Sequence, residues 1–236
     1  MITPSVWRSR PLIQGWWIQC GLRQGSDLPP IRHNCCMAKP TDIALLSRRT
    51  ITSSSILLGT VWLTAFASVS GAQSYRDQLD AGVEVAKILT TYDSLASLVP
   101  IAMIAAWIFT TRWLFELYKV AKDTDPVAMR LKRPWIFWGW IVPVVSLWFP
   151  KLMIEDLLKF RNSKQSNELV GRETLTWWLT WVGFALVNNV GIVSAFSAPD
   201  GYIPIRPELE IAGACILTAS YVVWVRIVKA LSQEVY

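Results

Sequence analysis

The stretch from Arg133 to Pro150, RPWIFWGWIVPVVSLWFP, decides how the rest of the chain is read. It is almost wholly apolar, yet it holds three prolines (Pro134, Pro143, Pro150) and four tryptophans (Trp135, Trp138, Trp140, Trp148). As a helix, its ~15 apolar residues would span only ~22 Å, short of the ~30 Å hydrocarbon core of a bilayer. Pro143, in its middle, frees a carbonyl that other protein or water must satisfy. The stretch therefore reads as a re-entrant or interfacial hairpin in preference to a fifth crossing. Trp135 and Trp148 would anchor its ends, with Pro143 near its turn.

Longer apolar runs flank this stretch. The chain of 236 residues is 53% hydrophobic and 17% charged, against roughly 25% charged in soluble domains, and its mean hydropathy is +0.34. Runs near 51–72, 94–118, 175–196 and 208–228 reach the ~20 residues a crossing needs and are apolar on all faces, where a soluble helix would carry a stripe. The expected fold is all-α: an integral membrane helical bundle of four spans plus the Trp/Pro-rich segment 134–150. Small hydroxyls on the first span (Thr52, Ser53, Ser54, Ser55, Thr60, Thr64, Ser68, Ser70) predict a packing face that bonds across helices or back to carbonyls. Thr41 and Asp42 can cap a short helix before that span. The acidic segment 73–93 and the segment 151–161 both read as amphipathic helices on the membrane surface. Trp177, Trp178 and Trp181 suit the headgroup level.

Charge sets the orientation. The net +6 divides equally between residues 1–36 and the remainder, and no continuous basic surface for nucleic acid emerges. Basic residues gather before the first span (Lys39, Arg48, Arg49) and between the second span and the Trp/Pro stretch (Lys119, Lys122, Arg130, Lys132, Arg133), whereas 73–93 is acidic. The excess of Lys and Arg on cytoplasmic loops places both termini and the 119–175 region in the cytoplasm of a cell membrane, a pattern that four crossings satisfy. A fifth crossing would flip the C-terminus.

Residues 1–36 are an irregular extension, without a sustained period or a signal-peptide core. The character changes abruptly at Met37, which predicts that translation starts there; intact-mass analysis of native protein tests this. His33, Cys35 and Cys36 lack the second cluster that a zinc site requires, so no metal is expected. Of the four cysteines, Cys215 lies within an apolar run, and no disulfide framework is implied.

Four residues are candidates for a substrate or ion pathway. Arg112 and Glu116 lie one turn apart near the end of the second span; the plainer reading is a pair that snorkels to the interface. Asn188 and Asn189 lie past the middle of the third long span; the plainer reading there is a hydrogen bond to a neighbouring helix. Beyond residue 36 there is no His, no phosphate loop and no nucleophile elbow, so an enzyme and a cofactor are not expected. Absence of paired broken helices weakens a transporter. An envelope interaction or scaffold protein is the leading reading, and a small transporter or channel subunit is the alternative. The partners expected are the lipid bilayer and a membrane protein or a second copy.

The runs WLFELYKVAK (113–122), PWIFWGWIVPVVSLWFPKLMIEDL (134–157), WWLTWVGF (177–184) and VVWVRIVKALSQEV (222–235) resemble those of the domain of unknown function 4328 family. The most specific element is Trp138-Gly139-Trp140 followed by Pro143, with Trp148 and Pro150 completing the motif. The likeness covers roughly Asp42 to Val235. Ser146 stands where family members often have Asn, and Lys122-Asp123-Thr124 where they often have a basic-basic-Asn run. The resemblance implies a multi-span membrane protein of the kind found mostly in actinobacteria, and it brings no activity with it.

Overall fold

The computed structural model describes residues 40–142, 144–161, 167–196 and 205–232. The extension 1–36, Pro143 and the loop around Lys164 lie outside the described residues. The helices are α1 (Pro40–Asp80), α2 (Thr91–Ala96), α3 (Leu98–Thr124), α4 (Trp135–Trp138), α5 (Phe149–Arg161), α6 (Asn167–Phe196) and α7 (Pro207–Ser232), and no strand occurs among the described residues. Among the described residues, three helical segments are long and apolar enough to cross a membrane: 42–80 on α1, 91–124 across α2 and α3, and 207–232 on α7.

α1 is a single helix of 41 residues, roughly 60 Å long at 1.5 Å per residue. The short helix expected before the first span and the first part of the expected surface helix are thus the two ends of one rod. No proline or glycine cap interrupts it before Asp80, and helix propagation is favourable once nucleated. Past Asp80 the chain turns through Gly82, whose positive φ of 76° suits glycine. A short 3₁₀ turn (Val85–Lys87) follows, so no amphipathic helix runs through 73–93.

The start of the second crossing also differs from expectation. Thr90 caps it, ahead of the expected start near residue 94: the Thr90 N–H and hydroxyl both donate to Asp93 Oδ2 at 2.8 Å. The helix breaks at Ser97, between α2 and α3. Pro100 explains the break, because its ring cannot accept the carbonyl of Ala96 in a continuous helix.

α1 runs antiparallel to both α3 and α7. Near its start the Thr50 hydroxyl donates to the Phe109 carbonyl at 3.2 Å. Farther along, Ser55 and Tyr221 share a 2.7 Å hydroxyl bond, and Trp62 Nε1 donates to Thr218 at 3.0 Å. Other hydroxyls fold back on their own helix, as Ser53 does to Thr50 and Ser68 to Ala65. Both roles expected of the small hydroxylated residues are present, and Ser55 combines them by also donating back to the Ile51 carbonyl at 2.9 Å. The buried positions Thr50, Ser53, Leu57, Val61, Thr64, Ala65 and Ser68 recur at helical spacing, while Ile56, Leu63, Phe66 and Val69 stand exposed on the other side. With Ile101, Ile104 and Ile108 of α3, these form an apolar outer belt. A soluble protein rarely leaves such a surface bare.

α6 lies antiparallel along α7, with Gly213 approaching Phe184 and Val187, and Gly183 approaching Ile216. The apolar face of α5 is not left free for lipid, as that of the expected surface helix would be. Its apolar face (Met153, Ile154, Leu157, Leu158) is buried in the protein, packed chiefly against α6 and also touching α3 and α7. The apolar stripe was legible, but a stripe cannot say whether lipid or protein covers it. Pro150 lies in the first turn of α5, where a missing N–H costs nothing.

Candidate functional site

The Trp/Pro stretch folds as short turns. α4 spans four residues, a 3₁₀ turn covers Val145–Leu147, and no longer helix occurs before Phe149. Gly139 sits between them because a side chain has no room. A Cβ there would lie 2.5 Å from the Trp135 carbonyl oxygen and 3.2 Å from Phe149 Cβ. The stretch is tied to α6 by a hydrogen bond from Trp178 Nε1 to the Leu147 carbonyl, and its two ends meet where Trp135 packs edge-on to Phe149, centroids 4.9 Å apart.

From here a row of indoles leads through the bundle. Trp140 meets Trp177 at 6.4 Å, Trp177 stacks on Trp224 at 5.3 Å, and Trp224 meets Trp113 edge-on at 5.9 Å. The row joins the Trp/Pro stretch to α6, α7 and α3 in turn. Trp113 is fully buried and Trp177 is 4% exposed, so the Trp177 ring is covered by protein and does not face lipid headgroups. Indoles on a packed face contribute large buried area and edge or stacking contacts, and periodicity cannot separate that role from an interfacial one.

Beside this row lies a cavity of about 270 Å³. Leu57 and Leu58 of α1, Met103, Ala106 and Trp107 of α3, Trp177 and Trp181 of α6, and Leu217, Tyr221 and Trp224 of α7 form its walls, with Trp140 and Ile141 of the Trp/Pro stretch completing them. Its polar edge consists of Ser54, Thr110, Ser220 and the Tyr221 hydroxyl already bonded to Ser55. Trp107 and Trp140 each have a buried indole N–H with no acceptor among the described residues, a condition that native interiors seldom tolerate.

One end of the bundle is closed by a pinned loop. Asp156, 4% exposed on α5, accepts from Arg130 Nε at 2.7 Å and from the Arg130 backbone N–H at 3.1 Å, and its Oδ1 lies 2.6 Å from Arg130 Nη2. Glu155 adds a 3.7 Å contact to the same guanidinium and a 2.8 Å ion pair with Lys151. The hydrogen bond that Arg130 donates to Asp156 pushes the guanidinium still further above its ordinary value, against the opposing pull of burial. The loop is held twice more, by buried Met129 and by the Tyr118 hydroxyl donating to the Leu131 carbonyl at 3.2 Å. This clasp was missed in the sequence. Its signal was an acid with buried apolar residues on both sides within one turn, preceded by a basic loop able to supply the cation.

At the opposite end, the Tyr92 hydroxyl donates to Glu210 Oε1 at 2.7 Å, joining α2 to α7. Gly71 permits this approach, since a Cβ there would lie 2.8 Å from Tyr92 Cβ.

The four pathway candidates are not gathered. Arg112 is exposed, and Glu116 pairs with Lys119 at 2.8 Å instead of with Arg112. Asn188 and Asn189 are exposed, and the Asn189 amide donates back to the Ala185 carbonyl of its own helix at 2.8 Å. Arg112 lies one turn past Phe109, which meets the start of α1. The two asparagines follow Val187, which meets Gly213 near the start of α7. Because α1 and α7 are antiparallel, those are opposite ends of the bundle. Of the motif residues, Gly139 and Pro150 are buried, Trp140 is half-buried, Trp138 and Trp148 are exposed, and Pro143 lies outside the described residues.

An all-helical bundle with span-length apolar helices, sealed by a Trp/Gly/Pro stretch, is the class of protein these observations define. The chain belongs to the family Domain of unknown function (DUF4328), whose profile matches residues 74–233. The match begins inside α1, later than the Asp42 expected from the motifs, so most of that helix precedes it. Comparison with curated proteins and with solved structures finds no match.

Proposed function

We propose that this chain is a four-crossing membrane protein that works by binding, as an envelope interaction or scaffold protein, with both termini and the α5 end in the cytoplasm of the cell membrane. α6 supplies the fourth crossing: its 30 residues amount to ~45 Å of helix, more than the ~30 Å core. The Trp/Pro stretch is then a hairpin entering from the α5 side.

The observation that carries the reading is the Arg130–Asp156 clasp. It fixes the loop between α3 and α4 against α5 and leaves Lys132 and Arg133 exposed on a preformed rim. Arg133 lies 4.0 Å over the Phe115 ring, which orients its charge. A rigid basic rim suits an acidic surface on a membrane-protein partner or a second copy, because ordering costs are met before binding. A transport role draws less support, since Arg112 and Asn188–Asn189 stand at opposite ends.

A photo-crosslinking residue at Lys132 in native membranes tests the proposal. The expected result is one discrete crosslinked species, diminished when Arg130→Gln loosens the loop. Capture of nothing, or capture indifferent to Arg130, would sink it.

A further inference from the structure

We propose that the tryptophan-lined cavity holds a single hydrocarbon chain of a membrane lipid, entering sideways from the bilayer. The proposal rests on the membrane placement above and adds a ligand class that the interaction reading does not require.

Size is the first argument. A cavity of ~150 Å³ accepts benzene, so by proportion about 270 Å³ accommodates roughly ten carbons of a chain. The walls are the second. Leu57, Trp107, Trp140, Trp181, Leu217 and Trp224 present aliphatic and aromatic surface over most of the cavity, with the hydroxyls confined to one edge, and such a lining suits a hydrocarbon chain. The mouth is the third. Ile104 and Ile141 line the cavity and are 55% and 48% exposed, and Ile104 is continuous with the apolar belt of α3 formed by Ile101 and Ile108. A chain reaching the cavity from that side never leaves an apolar surroundings, whereas a soluble metabolite would first have to cross the belt.

The test uses the full chain in phosphatidylglycerol–phosphatidylcholine vesicles. One arm contains a phospholipid with a diazirine in mid-chain, and the other contains a free fatty acid with the same group. After irradiation, adducts are mapped by peptide mass spectrometry. Leu57 and Leu217 are each only 5% exposed, so adducts on them require a chain inside the cavity. The expected result is labelling of both, together with the belt residues Ile56 and Phe66. Label from either arm supports the proposal, and the stronger arm shows whether the chain is esterified or free. Ala106→Phe, which fills the cavity from α3, should abolish the cavity adducts and spare those on the belt. Should that variant misfold, Ile104→Trp at the exposed mouth should reduce them likewise. Belt labelling without cavity labelling overturns the proposal, as do cavity adducts unchanged in both variants. Absence of label on the belt as well would overturn the membrane placement, and this proposal with it.

Discussion

Trp177 of α6 and Trp224 of α7 stack with centroids 5.3 Å apart and planes inclined by 27°. Both are buried, and each also touches a further tryptophan, Trp140 and Trp113 respectively. The pair is therefore the joint between the Trp/Pro stretch and the helices that support it. Trp224→Ala removes the middle of the row and should cost about 3–5 kcal/mol. The expected outcome is a lower unfolding midpoint in detergent and loss of near-ultraviolet circular dichroism. Trp178→Phe removes only the bond to the Leu147 carbonyl and should cost about 1 kcal/mol.

Asp156 is buried and Arg130 is half-exposed, with side-chain exposures of 5% and 51%. Asp156→Ala strands a guanidinium that water can partly recover, so the expected loss is about 1–3 kcal/mol, less than for a fully buried pair. Limited proteolysis between residues 125 and 134 should accelerate in the variant. In a double-mutant cycle, Arg130→Gln and Asp156→Ala should be clearly non-additive; additive losses would show that the two side chains do not act together.

Glycines 139 and 59 should behave oppositely. At Gly139 a Cβ meets the Trp135 carbonyl at 2.5 Å, whereas at Gly59, within α1, nothing lies within 4 Å. Gly139→Ala should therefore destabilise by about 1–3 kcal/mol through overpacking. Gly59→Ala should be neutral or stabilise by up to about 1 kcal/mol through helix propensity. Thermal unfolding of the two variants side by side checks the contrast.

Arg112→Ala and Asn189→Ala should each change stability by no more than about 0.5 kcal/mol, as exposed positions do. In liposome flux assays neither should alter passage of any solute. A flux that responds to both would revive the pathway reading despite their separation.

The helical class, the apolar runs and the packing role of the hydroxyls were legible because each follows from residues close in sequence. Ser53, Thr64 and Ser68 announce a packing face by type and spacing alone. What covers an apolar stripe is a tertiary matter, and that is where the reading of 151–161 failed. Met153, Ile154, Leu157 and Leu158 look the same to lipid as to α6. The same ambiguity applies to Trp177, whose ring stacks on Trp224 inside the bundle. The Arg130–Asp156 clasp joins residues 26 apart, and the apolar neighbours of Asp156 could hint at its burial but not name its partner. The cavity was beyond reach for a similar reason: its walls come from four long helices and one turn, and a void is defined only by what surrounds it.

The central claim is four crossings with α5 on the cytoplasmic side. In a background lacking the native cysteines, Lys159→Cys on the exposed side of α5 and Glu84→Cys between α1 and α2 place one thiol at each end of the bundle. The measurement is their reaction with a membrane-impermeant maleimide in intact and then permeabilised cells. Glu84→Cys should react in intact cells and Lys159→Cys only after permeabilisation. Reaction of Lys159→Cys in intact cells would contradict the account and carry the Trp/Pro stretch across the membrane.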